Sequence, residues 1–190
     1  MANKDAAFGL KPIGKVGQNG DNQGLSEYSI AASASAIYQN DPVQMLNTGT
    51  IGVAPTSGLV LIGSINGVFY TDANTSKPTY ANHLAASNTA TDIVGFVSDD
   101  PYERFEVQSD NAAASAQTDI GNCADIVYAA GSAPNYVSKA ELDDDTLVTT
   151  TAQLKIIGVS KDPENNELGS ANTNFVVTIN EHFLKAGAGI

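Results

Sequence analysis

The chain has 190 residues, 42% of them hydrophobic, with no tryptophan, one cysteine and a net charge of -12 from nine basic and 21 acidic side chains. That hydrophobic share supports a folded core, and the acidic balance excludes a nucleic-acid surface, which needs clustered Lys and Arg. The lone Cys123 excludes an intrachain disulfide framework and fits assembly in a reducing cytoplasm, and no window reaches the roughly 18 apolar residues of a membrane span.

Residues 1–24, MANKDAAFGLKPIGKVGQNGDNQG, hold no helical or strand period for long. They read as an extended arm with apolar anchors at Phe8, Leu10, Ile13 and Val16, and without the apolar core of a signal peptide. Lys4, Lys11 and Lys15 against Asp5 and Asp21 make this arm weakly basic ahead of a strongly acidic body.

Residues 25–190 read as a single β domain. EYSIAASASAIY alternates Tyr28 and Ile30 against Glu27 and Ser29, a period of two. NDPVQML, GTIGVA, GLVLIGSINGVFYT, TDIVGFVS, ERFEVQS, ADIVYAA, TAQLKIIGVS and TNFVVTIN follow, each bounded by Gly, Pro, Asn or Ser. Short strands at this spacing predict an all-β fold, a compact barrel or sandwich of antiparallel strands with an extended N-terminal arm. Two stretches have helical character: NAAASAQTDIG, with Asn111 as a cap, and the SKAELDD stretch from Ser138, which is too short to stand alone. Residues 72–92 lack a clear strand and read as a protruding loop, where Tyr80, His83 and Leu84 would be available to a partner.

Several residue groups could carry chemistry. Asp99-Asp100-Pro101 and Asp162-Pro163 each follow an apolar run, and proline with a preceding aspartate is explained by turn geometry alone. A carboxylate-pair glycosidase would want an aromatic sugar platform, and the chain has no tryptophan. Asp143, Asp144 and Asp145 lack the ligand alternation of a calcium loop, and His83 and His182 lack zinc spacing. Cys123 sits in an acidic neighbourhood that disfavours a thiolate. No nucleophile elbow or phosphate loop occurs. The expectation is a protein that is not an enzyme and uses no cofactor or metal.

The order of motifs resembles small structural proteins of tailed bacteriophages, many of them marine. NKDAAFGLKPIGK is similar to their Ala-Pro-Phe-Gly-Phe-Arg-Pro opening, with Ala7 where that opening has proline. NGVFYTDANTSKPTYANH resembles their Gly-Val-aromatic strand, Tyr-Thr-Asp and proline-containing loop. VSDDPYERFEVQSD resembles their Asp-Asp-Pro followed by Phe-Glu-Val-Gln, and QLKIIGVSKDPENNE with NFVVTINEHFL resembles their closing strands. The likeness runs over nearly the whole chain and its motifs are structural.

This resemblance implies a head decoration (cement) protein on the outer face of the capsid, made in the host cytoplasm and bridging subunits of the major capsid protein. Self-association as a trimer is implied, with a dimer as the alternative. The implied contacts are Phe8, Leu10, Lys11, Pro12, Ile13 and Lys15 from an arm able to span about 80 Å at about 3.3 Å per residue, together with Tyr80, His83 and Leu84. Another virion role, in tail, neck or fibre base, and a glycan-binding module remain alternatives.

Overall fold

The computed structural model describes residues 3–17, 24–110 and 114–185. The expected cap Asn111 and the arm residues 1–2 and 18–23 lie outside these. Among the described residues the chain is all-β, and its single helical element is a 3-10 turn at Gln117–Asp119.

The strands are β1 (Lys11–Lys15), β2 (Ser26–Ser29), β3 (Ile37–Tyr38), β4 (Pro42–Met45), β5 (Ile51–Val53), β6 (Gly63–Thr71), β7 (Pro78–Ala81) and β8 (His83–Leu84) in the first half. The second half holds β9 (Val94–Ser98), β10 (Glu103–Gln108), β11 (Cys123–Ala124), β12 (Ile126–Val127), β13 (Glu141–Leu142), β14 (Leu154–Val159) and β15 (Asn174–Ile179).

Two antiparallel sheets dominate. One runs β1-β10-β15-β14-β11, the other β2-β9-β6-β4-β5 with β7 also paired to β6. In the first, alternation decides which side is core. Phe105, Val107, Phe175, Val177, Leu154 and Ile156 are all buried, and pack with Leu142 and Ile179 into one cluster. In the second, Ile30, Val43, Ile51, Ile65, Val68 and Val97 form a separate cluster with Ile37 and Leu84. Register shifts interrupt β1, β6 and β14 next to Gly14, Gly67 and Gly158, the usual sites of strand bulges.

A polar seam joins the two cores. Leu10 N–H donates to the Asn40 carbonyl at 2.9 Å, Ser64 Oγ–H donates to the Leu10 carbonyl, and Ser138 N–H donates to the Gln39 carbonyl at 2.8 Å. Within the seam Asp41 is fully buried. Its Oδ2 accepts from Tyr38 N–H at 2.8 Å and from the Tyr128 hydroxyl at 3.3 Å, and Oδ1 has no partner. Burial pushes its carboxyl up to about 6, against the opposing pull of hydrogen bonds from Ser138, Tyr38 and Tyr128.

The N-terminal segment corrects an expectation. Residues 3–17 run extended, but they are paired and packed along the body. Leu10 is 0% exposed within the first cluster, and β1 pairs with β10 from Lys11↔Glu106 to Lys15↔Glu103. Gly9 makes this possible: its φ is +74°, and a Cβ there would sit 2.4 Å from the Asn40 carbonyl oxygen and 2.5 Å from Ser138 Cβ. The basic bias of the segment is also answered internally, by Lys4–Glu164 at 2.6 Å, Lys11–Glu106 at 3.3 Å and Lys15–Asp100 at 2.8 Å.

Buried glutamine holds the segment further. Gln108 is 1% exposed; its Oε1 accepts from Ala6 N–H at 2.8 Å, and its Nε2 donates to the Lys4 carbonyl at 2.9 Å and to Asn174 Oδ1 at 3.1 Å. Replacing one side of such a network strands the other. Gln108→Leu should therefore lower the unfolding free energy by about 2 kcal/mol in a denaturant titration. An unchanged midpoint would show that these bonds hold nothing.

Two other expectations change. Residues 72–92 are not one protruding loop, since β7 pairs with β6 and β8 pairs with β3, leaving a turn at 72–77 organised by the Asp72 carboxylate and a second strand-free stretch at 85–92. The SKAELDD stretch is no helix. Ala140 and Leu142 are fully buried while Lys139 is exposed and Glu141 only partly buried, a period of two that places β13 against β12.

Candidate interaction surfaces

The acidic corners are turns. Asp100 Oδ1 accepts from Tyr102 N–H at 2.8 Å and its carbonyl accepts from Glu103 N–H at 3.0 Å, closing the corner between β9 and β10. The hydrogen bond from Lys15, with that of Tyr102 N–H, holds the Asp100 carboxyl below its ordinary range. Asp99 pins β2 instead, accepting from Ser26 Oγ at 2.9 Å and the Tyr28 hydroxyl at 2.6 Å. At the second corner, Asp162 Oδ1 accepts from Glu164 N–H at 3.0 Å.

The other chemical candidates occupy structural positions. Cys123 is buried in β11. His182 is 2% exposed; burial and, to a smaller extent, Lys185 bring its imidazole down to about 4, and its Nδ1 accepts from Leu184 N–H at 3.1 Å. Among the described residues, no three His, Cys, Asp or Glu side chains are arranged to hold a metal ion.

The nine expected contact residues separate into three groups. Leu10 and Leu84 are core residues, each 0% exposed, so neither is available to a partner. Phe8, Lys15 and His83 are half-buried in intramolecular contacts. The Lys11 ammonium lies 5.9 Å from the Phe8 ring centroid, Lys15 pairs with Asp100, and the His83 ring stacks on Tyr136 at 3.8 Å and 4°. Pro12 is half-buried in β1, and Lys11, Ile13 and Tyr80 remain at the surface, on two different sheets.

Tyr80 belongs to an aromatic face that the sequence reading missed in part. It is 75% exposed on the outer side of the second sheet, with ring centroids 4.7 Å from Phe69 and 6.3 Å from Phe96. The register explains the cluster: Phe69 lies opposite both Tyr80 on β7 and Val94 on β9, while Val68 and Val97 face the core. An exposed ring backed by two partly buried ones marks an association surface more often than an isolated apolar residue does.

Ile13 belongs to the outer face of the first sheet, 42% exposed, beside Arg104 and Ile157. With Lys11, Glu106 and Val176 these side chains line an open recess of 610 Å³. Arg104 is the chain's one arginine, and sequence reasoning passed over it because a single charge in a strand ordinarily marks a solvated side. No family model, curated protein or solved structure matches this chain.

Proposed function

We propose that this protein is a virion structural component that decorates the outside of a tailed-phage head and ties subunits of the major capsid protein together. The observation that carries the reading is the Phe69–Tyr80–Phe96 face, a cluster of rings on a rigid sheet with Tyr80 75% exposed. The order of motifs along the chain supports the same reading. Acids that might have served chemistry are engaged in turns and strand ties. A protein that binds only the assembled shell stabilises that shell by mass action, and binding through several copies multiplies the effect.

The test is direct. Purified protein added to heads that lack it should appear in many copies over the whole shell in a particle map. Density confined to one ring at the tail vertex would replace this reading with a connector role. Tyr80→Ala should weaken head binding by about 2 kcal/mol, roughly thirtyfold, as for a central aromatic anchor, with thermal unfolding unchanged. The same rings give a glycan-binding module its one supporting observation. Titration with soluble glycans, giving saturable binding that Tyr80→Ala removes while heads stay bare, would favour that module instead.

A further inference from the structure

A second surface goes beyond the aromatic face. The outer side of the first sheet collects four of the nine basic residues of a chain of net charge -12: Lys11, Arg104, Lys155 and Lys161. Arg104 and Lys155 lie in one cross-strand row, both opposite Thr178 on β15. The acids there are few. Glu106 is already engaged by Lys11 at 3.3 Å and by the Ser160 hydroxyl, and Asp162 Oδ1 accepts the turn N–H of Glu164.

Arg104 itself is unsatisfied. Its Nε is buried without a hydrogen-bond partner, and its neighbours Ile13 and Ile157 are 42% and 39% exposed. A guanidinium seated among exposed isoleucines, with a buried donor unused, is the composition of the centre of a protein interface rather than of a solvated surface. The Nε itself lies beneath the surface, so a docking carboxylate or carbonyl meets the rest of the half-buried guanidinium.

The complementary charge is on the same molecule, at the other end of the same strand. Asp110 lies two residues beyond β10, about 20 Å from Arg104 at about 3.3 Å per residue. Asp110 N–H donates to the Leu142 carbonyl at 2.9 Å, which brings the neighbouring Glu141 alongside. Asp5 and Asp110 lie near enough for their charges to add to burial in pushing the Glu141 carboxyl up to about 7, so three acidic side chains gather at this end. The two ends are too far apart to meet within one copy.

We propose that the outer face of the first sheet, centred on Arg104, is a docking surface for a second copy of this chain and receives that copy's acidic end at Asp5, Asp110 and Glu141. Arg104 of one copy then meets the acidic end of the other, once in a head-to-tail contact or twice about a twofold axis. The head-to-tail form closes into a ring when the rotation allows. Neither form depends on where the protein sits on a particle.

Sedimentation equilibrium of the full chain, from low to high micromolar concentration and at low and high salt, tests this. Association should be present at low salt and weaker at high salt. Arg104→Glu and Glu141→Lys should each raise the dissociation constant at least about tenfold, and Lys155→Glu, on an exposed side chain, should do so less. The double variant Arg104→Glu with Glu141→Lys restores opposite charges across the contact in either form, and should recover most of the affinity. Far-UV spectra and melting curves check that each variant folds; Arg104→Gln replaces Arg104→Glu if the latter does not. A chain that stays monomeric throughout overturns the proposal, as do single reversals without effect or a double variant as weak as the singles.

Discussion

Removal of residues 2–17 should leave a chain that no longer folds cooperatively. Leu10 is one of the largest fully buried side chains, packed in the cluster that holds Phe105, Phe175 and Leu154. Truncating a leucine so placed removes its transfer energy and leaves a cavity, so Leu10→Ala alone should cost about 3 kcal/mol. Deletion also strips β1 from β10, exposing a long edge whose backbone groups invite aggregation. It severs the bonds that Asn3 Nδ2 makes to the Glu167 and Ala171 carbonyls at 3.0 and 3.1 Å, and those of Lys4 with Asn165. Domains have only about 5–15 kcal/mol in total, so these losses together approach all of it. Lys11→Ala, by contrast, breaks a surface pair whose lysine side chain is 57% exposed, and should change stability by less than about 1 kcal/mol. Urea titrations of the three variants give the ordering. If the truncated chain unfolds with the intact protein's midpoint and slope, the segment is an appendage after all.

That result turns on what the sequence could and could not show. Strands β9, β10, β14 and β15 were legible because Val97, Phe105, Val107, Ile156, Phe175 and Val177 fall at alternate positions in apolar runs, and because an Asp-Pro corner joins β9 to β10. The N-terminal segment was not. Its apolar residues are broken by Gly9, Gly14 and Gly17, which erases period, and only the fold reveals that Gly9 turns Leu10 beneath Asn40 and Ser138. β7 was hidden for a similar reason, since PTYA opens on proline and has no buried apolar side chain of its own beyond the half-buried Ala81. Among the candidate contacts, surface residues such as Tyr80 and Ile13 could be guessed from isolation in polar stretches. Arg104 could not, because its significance lies in what stands across from it: Thr178 on β15 and Gly14 on β1 offer it no acceptor. Buried glutamines escaped for the same reason, as composition assigns Gln to the surface and only long-range partners overrule it.

Asp41→Asn should make the protein more stable than the wild type at pH 8 by about 3 kcal/mol relative to the difference between them at pH 3.5. The carboxyl lies in the seam between the two cores, and its folded value of about 6 stands above the ordinary value of 3.8 because burial disfavours the charged form. Between those two pH values the native state holds a proton that the unfolded chain has released. Stability from this group is therefore fully present below about pH 4 and is lost as pH rises through 6. Other groups titrate in the same interval, Glu141 and His182 with the largest shifts among them. Glu141, raised to about 7, acts in the same direction as Asp41, whereas His182, brought down to about 4, contributes stability above its ordinary value that is lost as pH falls. All of these groups are present in wild type and variant alike, so subtraction removes them and leaves the Asp41 contribution. Asparagine keeps the shape and an acceptor for Tyr38 N–H and the Tyr128 hydroxyl while never ionising. The check is a set of denaturant titrations of both proteins from pH 3.5 to 8. The difference in unfolding free energy should climb through the interval between 4 and 6 and then level. A difference that stays flat across the whole range would mean that Asp41 ionises in the folded protein as readily as in the unfolded chain, and that the seam is open to water.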